Sequence, residues 1–182
     1  RGGSDLEHAD AQQLFDYFHP RLMRFTSRYL NGTGVEPDDV AQEAIWKAIS
    51  RRELYNPKYR FSTWVYIIAR RTAYDHVRNS RRHESSGSLD DIVVAARSAS
   101  DLVDARDDAE RIWEVAQSVL SSDQHSVLWL RYGEDMSISE VAAVMKKSAV
   151  STRVLLFRAR TCLRRHLEQE NQVTPTRGEA AS

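Results

Sequence analysis

The fold is decided by residues 137–167, which read SISEVAAVMKKSAVSTRVLLFRARTCLRRHL. Ser137 and Glu140 have the spacing of a capping box, which predicts a short helix over Ile138–Met145. Lys146-Lys147-Ser148 follows as a turn, and its serine is suited to cap the next helix. A short helix, a tight turn and a capped basic helix are typical of a helix-turn-helix motif.

The second helix of this motif has two different faces on a helical wheel. Thr152, Leu156, Ala159, Leu163 and Leu167 fall on the side that is predicted to pack inward. Such a helix enters the DNA major groove and reads bases mainly with its N-terminal residues. We predict that duplex DNA contacts the turn and the N-terminal half of the helix: Lys146, Lys147, Ser148, Ser151, Thr152, Arg153, Val154, Phe157 and Arg158. A plain helical hairpin with a solvated basic face remains the alternative.

Residues 11–82 are predicted to form three further helices. Leu14, Phe18, Leu22, Phe25 and Tyr29 recur at spacings of four and three, which is the apolar stripe of an amphipathic helix. Asn31-Gly32-Thr33-Gly34 ends that helix, and Pro37 suits the first turn of a second helix that runs to about Ser50. After a polar loop with Asn56-Pro57, a long third helix is predicted from near Ser62 to about Arg82.

The long third helix has one sector in which aromatic and basic side chains alternate. Phe61, Val65, Ile68, Ala69 and Thr72 form its packing face, and the mixed sector contains Trp64, Ile67, Arg70, Arg71, Tyr74, Arg78, Arg81 and Arg82. Rings stack on unpaired bases while arginines hold phosphates, so this sector suits single-stranded nucleic acid. A core position for Trp64 and Tyr74 is the alternative.

The helix before it has an acidic face that ends in a tryptophan. Asp39, Gln42, Glu43 and Trp46 share this face, and Ala41, Ala44, Ile45 and Ala48 share the opposite one. Acidic side chains repel DNA, whereas an aromatic anchor with polar neighbours is typical of a protein interface. A solvated acidic face is the alternative.

The charges are segregated, although the formal net charge is zero. Residues 51–82 contain nine Lys or Arg and two acids, and residues 146–166 contain seven Lys or Arg and no acid. Between these blocks, residues 84–123 contain ten acids and three Arg. Basic blocks on helices indicate polyanion binding. Only 7 Gly and 4 Pro are present, which favours an all-α fold.

Several classes of function are not supported by the sequence. The six histidines lack metal-ligand spacing, and neither a P-loop nor a Rossmann glycine pattern occurs. We therefore expect no enzyme activity, catalytic residue, metal, cofactor or small-molecule substrate. A single cysteine, Cys162, and the lack of an apolar run of about 18 residues predict a cytoplasmic protein without membrane insertion.

Two blocks of the chain resemble the extracytoplasmic-function (ECF) subfamily of bacterial sigma-70-type RNA polymerase sigma factors. The Asp-x-x-Gln-Glu core of residues 39–43, and Phe61-Ser62-Thr63-Trp64 with Ile67-Ile68-Ala69-Arg70, are similar to region 2 of that family. Residues 120–167 resemble region 4, where Arg158-Ala159-Arg160 fits the closing pattern. Val150-Ser151-Thr152 departs from the usual Gly-Thr-Val, so the promoter sequence cannot be carried over from relatives.

The resemblance implies two small helical domains joined by a flexible linker. The expected parts are a disordered lead over residues 1–10, a region 2 bundle over 11–83 and a linker over 84–105. A region 4 helix-turn-helix domain over 106–168 and a disordered tail over 169–182 complete the chain.

The same resemblance implies promoter recognition, DNA melting and transcription initiation in the bacterial cytoplasm, with association to the nucleoid when the protein is bound to polymerase. The implied partners are core RNA polymerase, through its β′ clamp and β flap, promoter DNA and an anti-sigma factor. The β′ clamp is expected on Asp39, Gln42, Glu43 and Trp46, and the −35 element on the helix-turn-helix residues given above. The melted −10 element is expected on Asn56, Lys58, Arg60, Trp64, Ile67, Arg70, Arg71, Tyr74, Arg78, Arg81 and Arg82.

Two other functions compete with this interpretation. A stand-alone helix-turn-helix repressor or activator would bind duplex DNA as a dimer without polymerase. A sigma-like interaction protein would occupy core polymerase or an anti-sigma factor without contacting DNA, which the two basic faces argue against.

Overall fold

The computed structural model describes residues 5–83 and 105–173, and all regular elements in these ranges are helical. The α-helices are α1 (Ala11–Leu30), α2 (Pro37–Ser50), α3 (Phe61–His83), α4 (Ala105–Val119), α5 (Ser122–Leu128), α6 (Ile138–Met145) and α7 (Ala149–Val173). Short 3-10 helices cover Asp5–His8 and Arg52–Leu54, and a π-helical turn covers Trp129–Gly133. The predicted all-α class is confirmed. We call α1–α3 the N-terminal region and α4–α7 the C-terminal region.

The helices of the N-terminal region begin and end where the sequence predicts. Asp10 and Gln13 form a reciprocal capping box at the start of α1. Gly32 and Gly34 have φ of +77° and +69°, a left-handed conformation that ends the helix and that glycine adopts without strain. The predicted apolar stripe of α1 is buried, as is the alanine-rich face of α2. These two stripes and the packing face of α3 form the core of the region.

The lead is more ordered than expected. Residues 5–8 form a 3-10 helix, and Leu6 packs against the hydrophobic core. The carbonyl oxygen of Ala9 accepts a hydrogen bond of 2.7 Å from Nη2 of Arg52. These contacts hold residues 5–9, which belong to the lead expected over residues 1–10, against the N-terminal region.

The C-terminal region contains the predicted helix-turn-helix. Ser137 and Glu140 cap α6, and the turn closes at Lys146, which has a left-handed φ of +52°. Ser148 accepts a hydrogen bond of 3.1 Å from the Ser151 amide at the start of α7. Ser121 caps α5, and Gln124 completes its capping box. Helix α7 continues past residue 168 to Val173. The predicted linker, apart from residue 105, and the tail from residue 174 lie outside the described residues.

The two regions pack against each other. The sequence predicts a small core within each, but the buried apolar side chains of both belong to one cluster that extends from Leu14 in α1 to Ala159 in α7. Tyr66 of α3 is fully buried in this cluster, and its hydroxyl accepts a hydrogen bond of 3.2 Å from the indole of Trp129. The described structure is therefore a closed arrangement in which the C-terminal region covers one side of α3.

Candidate nucleic-acid and protein interfaces

The outer face of α7 is presented to solvent. Thr152 and Ala159 are buried, whereas Ser151, Arg153, Val154 and Arg158 are exposed and Phe157 is 69% exposed. Val154 and Phe157 lie three residues apart on this side of α7 and are both exposed, and adjacent exposed apolar side chains are a candidate contact surface for a partner. We call Ser151, Arg153, Val154, Phe157 and Arg158 the reading face. The predicted division of α7 into an inward side and an outward side is confirmed.

Two residues predicted to contact duplex DNA are engaged within the protein. Thr152 is fully buried, and its hydroxyl donates a hydrogen bond of 2.9 Å to the Ser148 carbonyl oxygen. It therefore supports the start of α7 and does not face a groove. Lys147 lies in the exposed turn, where its ammonium forms an ion pair of 3.1 Å with Asp123.

The mixed sector of α3 is only partly open. Arg71 and Arg78 are exposed, and Tyr74 is 43% exposed. The guanidinium of Arg78 pairs with Asp75 on its own helix at 3.2 Å. We call Trp64, Ile67, Arg70, Arg71, Tyr74 and Arg78 the melting sector. Arg81 and Arg82 continue α3, but their side chains lie outside the described part of the chain.

Two members of the melting sector are held inside the molecule. The Arg70 side chain is 13% exposed and lies over the Tyr74 ring, 4.5 Å from its centroid, while its Nη2 lies 3.7 Å from the Asp123 carboxylate. Trp64 packs on Phe61 and Tyr55, with ring centroids 5.4 and 5.6 Å apart, and is half-buried. The core alternative for Trp64 is thus correct in part.

The loop before α3 is shaped by its own hydrogen bonds. The Asn56 side chain accepts a bond of 3.0 Å from the Lys58 amide, and the Tyr55 hydroxyl donates one of 2.7 Å to the Tyr59 carbonyl oxygen. The loop lines a pocket whose opposite wall is the start of α6. Arg60, at the end of this loop, donates to the Glu140 carboxylate across that pocket at 2.8 Å from Nε.

On the acidic face of α2, the tryptophan ring is exposed to solvent, and the Glu43 carboxylate forms ion pairs. Trp46 is 68% exposed, and Asp39 and Gln42 are exposed beside it. Glu43 pairs with Lys47 and His76. Although burial by itself would raise it, the hydrogen bonds from Lys47 and His76 lower the pKa of Glu43. A large exposed ring with fixed polar neighbours suits a protein partner.

Sequence reasoning missed a second buried side of α3. Thr63, Tyr66, Arg70, Ala73 and Val77 form a seam with spacings of three and four residues, and Thr63, Tyr66 and Arg70 of this seam contact the C-terminal region. Thr63 and Ala73 are fully buried, although neither is a strongly hydrophobic residue. The heptad spacing is the signal that can reveal such a seam when the residues themselves do not.

Neither a cluster of metal-binding side chains nor a membrane-spanning helix occurs in the described residues. Within residues 5–83 and 105–173, His, Cys, Asp and Glu side chains form no group able to hold a metal ion. In the same ranges, no helix has the length and apolar character needed to cross a membrane.

Comparison with known proteins identifies the family to which these surfaces belong. Residues 14–83 match the family model of sigma-70 region 2, and residues 114–163 match that of sigma-70 region 4. The sigma-H factor of Pseudomonas aeruginosa is 31% identical over 147 residues, which cover 73% of this chain and 74% of that protein. The probable sigma factor RfaY of Xanthomonas campestris is 30% identical over 136 residues, covering 72% of this chain but 34% of that longer protein.

The chain therefore belongs to the sigma-70 family of RNA polymerase sigma factors, and relatives named as ECF sigma factors place it in that subfamily. The fold agrees with a solved sigma factor, RpoE of Bartonella quintana in complex with the anti-sigma factor NepR. That comparison has a TM-score of 0.62 at 21% identity, and it covers 86% of this chain and 96% of the other. Members of this family are transcription initiation factors and not enzymes.

Proposed function

We propose that this ECF sigma factor uses the three surfaces described above for three separate contacts: with core polymerase, with the −35 duplex and with the opened −10 strand. The acidic face binds the β′ clamp of core polymerase, and the reading face, with Lys146, Lys147 and Ser148 at its turn, contacts the −35 duplex. The melting sector and the loop residues Asn56, Lys58 and Arg60 hold the opened −10 strand. In domain terms, we assign −10 binding to residues 11–83 and −35 binding to residues 106–168.

The observation that carries this proposal is the burial pattern of α7. Buried Thr152 and Ala159 fix the inner side of the helix, so Arg153 and Phe157 face outward beyond the turn that follows α6. A helix-turn-helix presents its second helix to the major groove in this way. The exposed Trp46 on α2 gives the N-terminal region a second surface, which suits a protein partner.

An anti-sigma partner and the β flap complete the proposed set of contacts. The solved sigma factor RpoE, whose fold is similar, is in complex with the anti-sigma factor NepR. In our proposal such a protein competes with polymerase for the exposed apolar residues of α2 and α7. The β flap is assigned to the C-terminal region.

The direct test is run-off transcription with purified core polymerase and the promoter of the protein's own operon. We expect specific transcripts only when both core and this protein are present. Asp39→Arg should weaken core binding in a titration, because it reverses charge on an exposed part of the acidic face. Glu53→Arg is the matched control, since Glu53 is an exposed acid outside that face. Equal core affinity of both variants would remove the acidic face from the proposal.

A further inference from the structure

The exposed apolar side chains of α7 form a continuous row on the outer side of the helix. Val150, in its first turn, is 67% exposed, and Val154 and Phe157 are 44% and 69% exposed. Their spacings of four and three residues make them neighbours on one side of a helix. We call Val150, Val154 and Phe157 the apolar ridge.

Packing of the inner side of α7 fixes the direction of this ridge. Thr152 and Ala159 are fully buried, and on a helical wheel they lie opposite the ridge. The helix start is fixed as well, because Ser148 accepts a hydrogen bond from the Ser151 amide. The ridge therefore points away from the protein, beginning at the end of the helix that follows the turn.

Basic side chains lie along both sides of the apolar ridge. With about 100° per residue, the ridge covers a sector of about 60° on the wheel. Exposed arginines lie outside both edges of this sector: Arg153, Arg160 and Arg164 beyond one, and Arg158 and Arg165 beyond the other. Residues 146–166 contain no acid. This pattern is complementary to a groove that has a phosphate backbone along each side, as the DNA major groove has.

The chemistry of the ridge restricts which base groups it fits. In the major groove, the edges of the bases present hydrogen-bond donors, acceptors and one apolar group, which is the C5 methyl of thymine. Valine and phenylalanine side chains neither donate nor accept hydrogen bonds. Placed against a polar base edge, they would remove its water without replacing the hydrogen bonds, which is unfavourable. The thymine methyl is therefore the base group that this ridge matches.

We propose that the apolar ridge selects −35 elements by the methyl groups of their thymines, while the arginines beside it contact the DNA on either side. The inference rests on the −35 contact proposed above for α7, and it names the base group that this contact reads. Val150 extends the ridge to the first turn of the helix, which is the part of a helix-turn-helix that reads bases. It also begins the triplet in which this chain departs from the usual Gly-Thr-Val.

The test removes the methyl groups from the DNA without changing its base pairing. Holoenzyme, assembled from core polymerase and the full-length protein, is titrated with the promoter of the protein's own operon. In a second template, uracil replaces the thymines of the −35 element on both strands. Uracil lacks the methyl but keeps the O4 acceptor and the pairing with adenine. We expect the affinity to fall about fourfold for each contacted methyl, as for loss of one buried methylene group.

Substitutions in the ridge remove the protein side of the same contact. Val150→Ala, Val154→Ala and Phe157→Ala should each lower the ratio of thymine to uracil affinity, and the triple variant should bring this ratio to about one. The substituted side chains are exposed, so we expect circular dichroism to show unchanged helical content. Ile112→Ala is the matched control: Ile112 is an exposed apolar residue of the C-terminal region outside α7, and its variant should keep the wild-type ratio.

A third template, with a scrambled −35 element, separates failure of this inference from failure of the proposed function. If uracil has no effect but scrambling weakens binding, the −35 contact stands and methyl reading is wrong. If scrambling has no effect either, the −35 contact itself is wrong. If the triple variant retains the full loss on uracil, other residues read the methyls and the assignment to the ridge is wrong. If the triple variant instead binds core polymerase more weakly in the absence of DNA, and uracil has no effect, the ridge is a protein-binding surface.

Discussion

The reading face of α7 and the melting sector of α3 have the same kind of composition and very different surroundings. Both are arginine-rich helix surfaces that include aromatic rings. Phe157 and Arg153 on α7 are exposed to solvent. On α3, Arg70 is enclosed by tyrosine rings and Asp123, and Trp64 packs on Phe61.

This difference shows that the amino-acid composition of a helix surface does not determine whether that surface is exposed to solvent in the folded protein. The reading face is exposed in the closed protein, because α7 packs its inner side on α4, α5 and α6 and leaves its outer side in solvent. Helix α3, which carries the melting sector, is buried on two sides, by α1 and α2 on one and by the C-terminal region on the other. The predictions below test this contrast.

The largest expected effect concerns stability. Tyr66→Ala should lower the free energy of unfolding by about 3–5 kcal/mol, because it leaves a cavity where both regions meet. Phe157→Ala should change it by no more than about 0.5 kcal/mol, since that ring faces solvent. Urea unfolding followed by circular dichroism measures both. A loss for Phe157→Ala as large as that for Tyr66→Ala would refute the contrast between the two helices.

The second prediction concerns the specificity of the reading face. Arg153→Ala should cost about 1–3 kcal/mol at particular −35 positions if the guanidinium makes a bidentate contact with a base. Arg164→Ala is the control, because this exposed arginine lies about three turns further along α7 and should affect all sequences alike. A library of −35 sequences, bound by holoenzyme with either variant, separates the two patterns. A uniform loss for Arg153→Ala would reassign it to phosphate.

The third prediction concerns strand opening and is smaller. Tyr74→Ala or Arg78→Ala should weaken the open complex by about 1 kcal/mol, the lower end for loss of a stacked base, since Tyr74 is only partly exposed. Closed-complex formation should be unchanged. Permanganate reactivity of the −10 thymines reports opening, and a template with a pre-melted bubble should restore it in part. Tyr132→Ala, at an exposed tyrosine outside the sector, should open promoters like the wild type.

The sequence predicts local structure well in this protein because local chemistry decides it. Capping boxes fix the starts of α1 and α6, and glycines with positive φ fix the end of α1. The inward and outward sides of α7 follow from one apolar stripe. Each of these features depends on residues within a few positions of each other, which a helical wheel or a capping pattern can capture.

The closed arrangement lies beyond such reasoning because its determinants are distant in the chain. From the sequence, Glu140 is predicted only to cap α6. Its other partners, Thr63 and Arg60, are 77 and 80 residues away in the chain. The seam of α3 includes a threonine, an arginine and an alanine, so it lacks the hydrophobic signal of a core face. Arg70 also belongs to both the melting sector and this seam, and only the three-dimensional contacts show which neighbour holds it.

The smallest expected effect is on the pH dependence of the free energy of unfolding. It concerns two buried carboxylates, Glu134 and Glu140, each of which faces an arginine of the N-terminal region. Glu134 lies near Arg21, with 3.5 Å between Oε1 and Nε, and its side chain is almost fully buried. Burial raises the pKa of Glu134, in spite of a hydrogen bond with Tyr66 and the charge of Arg21. For Glu140 the balance is the reverse, and its pKa is lowered to about 2.

The two carboxylates therefore respond to pH with opposite signs. The contribution of Glu140 is complete above its unfolded pKa of about 4.3 and is lost as the pH falls toward 2. The contribution of Glu134 is present when it is protonated and is lost as the pH rises above that unfolded value. Glu134→Gln should thus be neutral or stabilising by at most about 1 kcal/mol at pH 7, and Glu140→Gln should be destabilising. Urea unfolding of both variants at pH 4 and pH 7 measures this, and a destabilisation by Glu134→Gln that matches Glu140→Gln would show that the Arg21 pair also holds the closed state.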